Sequence, residues 1–228
     1  MYNFVSRMRT LVVGGHTRNI GKTALVVDII RAFPEVAWTA VKITQHGHGV
    51  CSIDGKDCDC APVDHSFALD EEQDRSNRTD SSRFLVAGAA RSLWVRTRQG
   101  CLGEYLPRLW REIGSASNVI MESNSVLEFL RPELYLMVLD PEKADFKESA
   151  RRFLHLADAF VLRALCQGAP WLQANEGPPP VPSFVLEGRP CFEQRLGTEL
   201  PGSLVRFIRE RYFTHSAATG GHSTDISC

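Results

Sequence analysis

Apolar positions in this chain gather into short runs separated by glycine, proline or polar stretches, and the runs alternate between two periods. Arg9-Thr10-Leu11-Val12-Val13-Gly14 is an apolar run stopped by glycine, the pattern of a buried strand. Between Gly21 and Phe33, Ala24, Leu25, Val27, Ile29, Ile30 and Ala32 recur at spacings that suit a helix buried on more than one side. Pro34 ends it. Val36 to Ile43 (VAWTAVKI) is β-branched and aromatic, so it reads as a second strand. Strand, glycine turn, helix, strand is a βαβ unit, and it predicts a parallel sheet with right-handed crossovers. The rhythm resumes from Asp80, with a helical pattern over Phe84, Leu85, Ala87 and Ala90 and a strand at Ser92-Leu93-Trp94-Val95. Leu102 to Ile113 reads as a helix that Pro107 bends or restarts. Asn118 to Glu122 and Leu134 to Leu139 are nearly all apolar, as buried parallel strands are. Lys147 to Leu156 reads as helix and Ala159 to Leu162 as a further strand.

Two stretches fall outside this alternation. Residues 45–80 are polar, rich in His, Cys, Asp and Gly, and without a sustained period. At Gly177-Pro178-Pro179-Pro180 the composition changes to a stiff connector. After it, Phe184 to Phe192 suggests a small hairpin and Leu204 to Tyr212 a helix. The organisation expected is an α/β domain over residues 1–176 with a Cys/His-rich insertion at about 45–79. Residues 177–213 form a connector, hairpin and helix appendage, and residues 214–228 a disordered tail.

Composition narrows the function classes. An apolar fraction of 43% and a charged fraction of 23% supply a sizeable core. The formal net charge of -1 disfavours a grip on long nucleic acid through its phosphates. No apolar run approaches the roughly 18 residues that cross a bilayer, and Leu11-Val12-Val13 is too short for a signal-peptide core. A cytoplasmic protein without a membrane partner is expected.

The most specific motif is Gly14-Gly15-His16-Thr17-Arg18-Asn19-Ile20-Gly21-Lys22-Thr23. The usual phosphate loop is G-x-x-x-x-G-K-[ST], and the spacing from Gly15 to Gly21 is one residue longer. The physical ingredients survive that insertion. Glycines turn backbone N–H groups inward, and a helix starting near Gly21 aims its positive end at phosphates. Lys22 then neutralises phosphate oxygens, and the Thr23 hydroxyl is a magnesium ligand. Residues Gly15, His16, Thr17, Arg18, Asn19, Ile20, Gly21, Lys22 and Thr23 are therefore the expected nucleotide site. The fold class expected is α/β: a mostly parallel sheet with flanking helices, of the P-loop NTPase type, with a small C-terminal hairpin-helix appendage.

Around this loop, residues 9–165 carry a family resemblance. The longer loop resembles that of dethiobiotin synthetase and its relatives. The lysine-bearing second strand Ala40-Val41-Lys42-Ile43-Thr44-Gln45-His46-Gly47-His48 and the stretch Thr79-Asp80-Ser81-Ser82-Arg83-Phe84-Leu85-Val86-Ala87-Gly88-Ala89 resemble the MobB proteins of molybdopterin-guanine dinucleotide biosynthesis. The resemblance implies a GTP-binding helper in molybdenum cofactor biosynthesis, or an ATP-dependent ligase or kinase of the dethiobiotin synthetase type. The N-K-x-D box that reads guanine in many GTPases is missing where Leu162 is followed by Arg163-Ala164, which leaves both ATP and GTP open.

Further candidates lie at strand ends, where doubly wound sheets bind their ligands. Glu122 ends the apolar strand 118–122 and can hold Mg²⁺ together with Thr23. Lys42 ends strand two, where it can stabilise phosphate charge or an anionic substrate. Asp80 suits a helix N-cap, whereas the resemblance makes it a magnesium or substrate contact, with Arg83 beside it. Asp140-Pro141 reads as turn chemistry. In the insertion, Cys51, Cys58, Cys60 and His65 supply three thiolates and an imidazole, the ligand set of a zinc site. His46 and His48 are alternative fourth ligands. UreG-like and HypB-like metallochaperones show that this P-loop class handles metals, so a nucleotide-switched metal-handling role stands as an alternative. An NTPase or nucleotide-dependent transferase or ligase is expected, acting on a nucleotide and an anionic small molecule or cofactor. Dimerisation is implied by family analogy.

Overall fold

The structure, a computed structural model, describes residues 8–46, 67–143, 145–163 and 188–214. The strands are β1 (Arg9–Gly15), β2 (Trp38–His46), β3 (Phe67–Glu71), β4 (Arg91–Arg98), β5 (Asn118–Glu122), β6 (Leu134–Leu139), β7 (Ala159–Arg163) and β8 (Cys191–Gln194). They form one eight-stranded sheet in the order β3-β4-β2-β5-β1-β6-β7-β8. Every pairing is parallel except β3 with β4. The helices are α1 (Lys22–Ala32), α2 (Asp80–Ala87), α3 (Leu102–Ile113), α4 (Glu148–Phe153) and α5 (Gly202–Ile208), the last running into a π-helical turn, Arg209–Phe213. This is the expected mostly parallel sheet with flanking helices.

The two faces of the sheet follow from the period of two. Along β1, Leu11 and Val13 pack with α1, α2 and α5, while Val12 packs with α3 and α4. The apolar runs of β1, β5 and β6 thus serve two cores at once, which is why they do not alternate with polar residues. In α3, Leu102, Leu106, Leu109 and Ile113 make a buried stripe at helical spacing. The helix runs through Pro107 as one element, without the restart that was one of the two outcomes expected there. At the C-terminal end of the chain, Leu204, Ile208 and Tyr212 are buried against the α1 face, with the Tyr212 ring 5.4 Å from that of Trp38. In the hairpin region, Cys191–Gln194 pairs in parallel with β7 and extends the main sheet; its expected first arm lies outside the described residues.

Two differences from the sequence expectation matter for the site. Phe67–Glu71, inside the stretch expected to be loop, forms the antiparallel edge strand β3. Half-buried at its first three positions and exposed at the last two, it carries no alternation that would have marked it. The N-cap of α2 is Thr79, whose hydroxyl accepts the Ser82 N–H at 3.1 Å, so Asp80 is not the cap. Asp80 begins the first turn with its carboxylate free for another task. Among the described residues, no helix is long and apolar enough to cross a membrane.

Candidate functional site

Sheet order decides what can meet the phosphate loop. β1 lies between β5 and β6, so the loop leaving Gly15 emerges beside the ends of both strands. Residues Gly15 to Gly21 then curl into α1. Gly21 takes φ 84° at the N-cap, a left-handed conformation that a side chain rarely adopts. Asn19 is also left-handed, at φ 54°. No side chain caps α1, and its first turn holds no acidic residue. Its leading N–H groups are therefore suited to an anion.

The loop is bolted down from several elements. The Asn124 amide, just beyond β5, accepts the Gly15 N–H at 2.9 Å and donates to the Gly15 carbonyl at 2.8 Å. A Cβ at Gly14 would collide with that amide and with the Tyr135 ring, so the strand end must be glycine. Thr17 donates its hydroxyl to Asp145. His16 is buried; its Nε2 bonds the Lys143 carbonyl at 3.3 Å and its Nδ1 accepts the Asp140 N–H at 3.4 Å. Burial pushes its pKa down, which suits a neutral ring with the proton on Nε2. From the end of β7, the buried Arg163 donates to the Ile20 carbonyl at 2.8 Å and to the Gly21 carbonyl. The Asp140 carboxylate takes the Glu142 N–H at 3.0 Å, the turn chemistry expected of it.

Lys22 and Thr23 open α1. The Lys22 ammonium reaches back across the loop to the Thr17 carbonyl at 2.6 Å. Burial pushes its pKa from 10.5 down to about 8; Glu122 opposes that shift, and Lys42 and Lys147 add to it. Lys147, whose N–H donates to the His16 carbonyl at 2.8 Å, has its own pKa lowered by burial and by Arg18. Thr23 donates its hydroxyl to Glu122 Oε2 at 2.7 Å. Glu122 is 3% exposed at the end of β5.

Parallel register brings in Lys42, which lies inside β2 and not at its end as expected, because the strand runs on to His46 in its pairing with β4. Residue 42 of β2 stands directly opposite Glu122 of β5, and the two side chains share a face. The Lys42 ammonium lies 2.5 Å from Glu122 Oε1, 2.8 Å from Asp80 Oδ2 and 3.4 Å from Thr23 Oγ1. Burial disfavours its charge, but Glu122 and Asp80 outweigh burial and raise its pKa. Asp80 shows the converse. Burial would raise its pKa, yet Lys42, the Thr23 hydroxyl and Arg83 hold it below the usual carboxylate value. Arg83 sits 3.6 Å from Asp80 at the rim. The expected residues Thr23, Lys42, Asp80, Arg83 and Glu122 thus come together from four separate elements.

Sequence reasoning assigned no task to Asn124, Asp145 or Lys147, and it took Arg163 only as a sign of a missing guanine box. An arginine placed directly after an apolar parallel strand was the available signal, because strand ends face the ligand edge. Cys51, Cys58, Cys60, His65 and His48 lie outside the described residues. Among the described residues, no group of three or more His, Cys, Asp or Glu is arranged to hold a metal ion. Two carboxylates and a hydroxyl do converge at Thr23, a hard-oxygen donor set that fits Mg²⁺ completed by water and phosphate.

No family model matches the chain, and no curated protein matches it. Solved structures do. It is similar to HypB from Helicobacter pylori in complex with nickel, with a TM-score of 0.46 and 13% identity over 93% of this chain and 94% of that one. It is also similar to the signal recognition particle receptor FtsY from Elizabethkingia anophelis in complex with GDP, at a TM-score of 0.40 and 12% identity, covering 93% of this chain and 66% of that one. A third is a Zn(II)-bound triple mutant of the YjiA GTPase, at a TM-score of 0.41 and 13% identity, covering 87% of this chain and 61% of that one.

Proposed function

We propose that this chain binds a magnesium nucleotide, with the phosphates in the loop Gly15–Thr23 and the metal on Thr23, Glu122 and Asp80. The observation that carries the reading is the meeting of Thr23 with Glu122 at 2.7 Å beside a helix start that has no side-chain cap. A structural threonine needs no buried carboxylate across the sheet end, and a helix start without a side-chain cap leaves its N–H groups to an anion. Mg²⁺ held by these residues would neutralise phosphate charge. Lys22 supplies a further cation to the same oxygens, Arg163 and Asn124 fix the loop that cradles them, and His16 closes its buried side.

Within that reading we place a MobB-like role, a helper in molybdenum cofactor biosynthesis. Support comes from Lys42 and Asp80, the residues of the two MobB-like segments, which converge on Thr23 and Glu122. A dethiobiotin-type ligase would use the same phosphate loop, with Lys42 as the cation that holds a carboxylate substrate. Calorimetry with MgGTP, MgATP and their diphosphates tests the first claim and orders the two roles. Tight MgGTP binding with weak MgATP binding supports the helper. The reverse preference, with hydrolysis stimulated by a carboxylate, supports the ligase. Absence of binding to all four nucleotides rejects the phosphate-loop assignment.

A further inference from the structure

Three oxygens converge on the Lys42 ammonium: Glu122 Oε1, Asp80 Oδ2 and, at longer range, Thr23 Oγ1. They belong to the same three side chains that make up the divalent-cation donor set. Two carboxylates and a hydroxyl gathered at one point need positive charge, and the chain supplies it from within. Lys42 and Glu122 are register partners, so the strand pairing itself delivers the ammonium to the carboxylate.

We propose that Lys42 is a built-in counter-ion that holds the divalent-cation position whenever no phosphate ligand is bound, so that the metal enters only together with such a ligand. This rests on the phosphate-loop reading above. A metal arriving alone would have to pull two carboxylates away from the ammonium and leave that ammonium beside a dication. Lys22 and Lys147 both lie within electrostatic reach of Lys42, so moving its ammonium towards them is opposed. Phosphates change this balance. They offer acceptors to Lys22 and Lys42 together, and the carboxylates become free for the metal. The four-carbon stem of lysine lets its ammonium swing between the two partners without moving β2.

The test uses Mn²⁺ alone as the probe, read by electron paramagnetic resonance and by thermal shift on the full chain. Wild type and Lys42→Arg, which keep the cation, are expected to bind Mn²⁺ weakly and to show no rise in melting temperature. Lys42→Gln and Lys42→Met remove the cation. They are expected to bind about one equivalent at least tenfold more tightly than wild type and to gain melting temperature with Mn²⁺. The proposal is overturned if wild type alone binds Mn²⁺ tightly, a result that needs no variant to fold. It is overturned equally if a neutral variant with native circular dichroism gains no affinity. Binding of ADP and of GDP to wild type is measured separately. Failure of both, with that of their triphosphates, would remove the phosphate-loop reading while leaving the metal-alone comparison interpretable.

Discussion

Lys22 and Lys42 carry the same side chain into the same site, Lys22 along the helix from Thr23 and Lys42 across the sheet end. Their surroundings set them in opposite directions. Lys22 meets a carbonyl, Thr17, and burial lowers its pKa to about 8. Lys42 meets two carboxylates and its pKa rises. The difference teaches what each region lacks. The sheet-end region is already charge-paired within the chain, whereas in the loop region Lys22 donates to a neutral carbonyl and shares its field with Lys147. An incoming phosphate completes the second region and rearranges the first.

The largest effect expected is from Lys22→Ala, which removes the cation of the incomplete region. Affinity for MgATP and MgGTP should fall beyond detection by calorimetry, while urea denaturation at neutral pH shows no loss of stability, because the ammonium removed is one that burial disfavours. Unchanged affinity would break the comparison on the Lys22 side.

Glu122→Gln strikes the paired region instead. Nucleotide binding should remain measurable, but Mg²⁺ dependence and turnover should collapse, because the amide keeps the shape and drops the charge. Stability should also fall. Removing one partner of a buried pair costs roughly 3–5 kcal/mol, and Asp80 remains to hold Lys42, so a loss near the lower end is expected in urea denaturation. A variant with wild-type stability and the same Mg²⁺ titration would make Glu122 an ordinary strand-end residue.

A pH experiment sharpens the contrast between the lysines. The folded pKa of Lys22 lies below its unfolded value of 10.5, so between about pH 8 and 10.5 the unfolded chain holds the proton that the folded chain has lost. Stability from this group therefore rises with pH across that window and is lowest below pH 8. Phosphate restores the charged form. At pH 9, nucleotide binding should take up most of one proton in wild type and none at this position in Lys22→Arg, whose guanidinium stays charged. Calorimetry in two buffers of different ionisation enthalpy gives the count, and equal uptake in both proteins would remove Lys22 as the source.

The smallest effect concerns the cap behind Asp80. Thr79→Ala should cost about 1 kcal/mol through loss of the bond to the Ser82 N–H. It loosens the paired region alone, so melting temperature should fall while diphosphate affinity changes less than threefold. A larger loss of affinity than of stability would mean that Asp80 orients the phosphate loop as well.

How far the site was legible depends on how far apart its parts lie in the chain. Gly15 to Thr23 is contiguous, and its glycines, lysine and threonine stand at spacings that mean a phosphate loop before any folding is known. Lys42, Asp80 and Glu122 were each visible as polar residues at strand or helix ends, yet nothing local says that they touch. Arg163 was read for what it is not, because its partners, Ile20 and Gly21, lie some 140 positions earlier.

The sequence by itself determined the period of most elements, the two-sided burial of β1, β5 and β6, and the chemistry of the turn between Gly15 and Lys22. Those properties are local: apolar spacing and glycine conformation act within a few residues. Tertiary structure alone decided that β2 lies beside β5 in the register that sets Lys42 against Glu122. It decided as well that Phe67–Glu71 is an antiparallel edge strand and that Thr79, not Asp80, caps α2. Pairing and register depend on burial and hydrogen bonding summed over the whole sheet, so they reach a charged side chain only after the core has set the strand order.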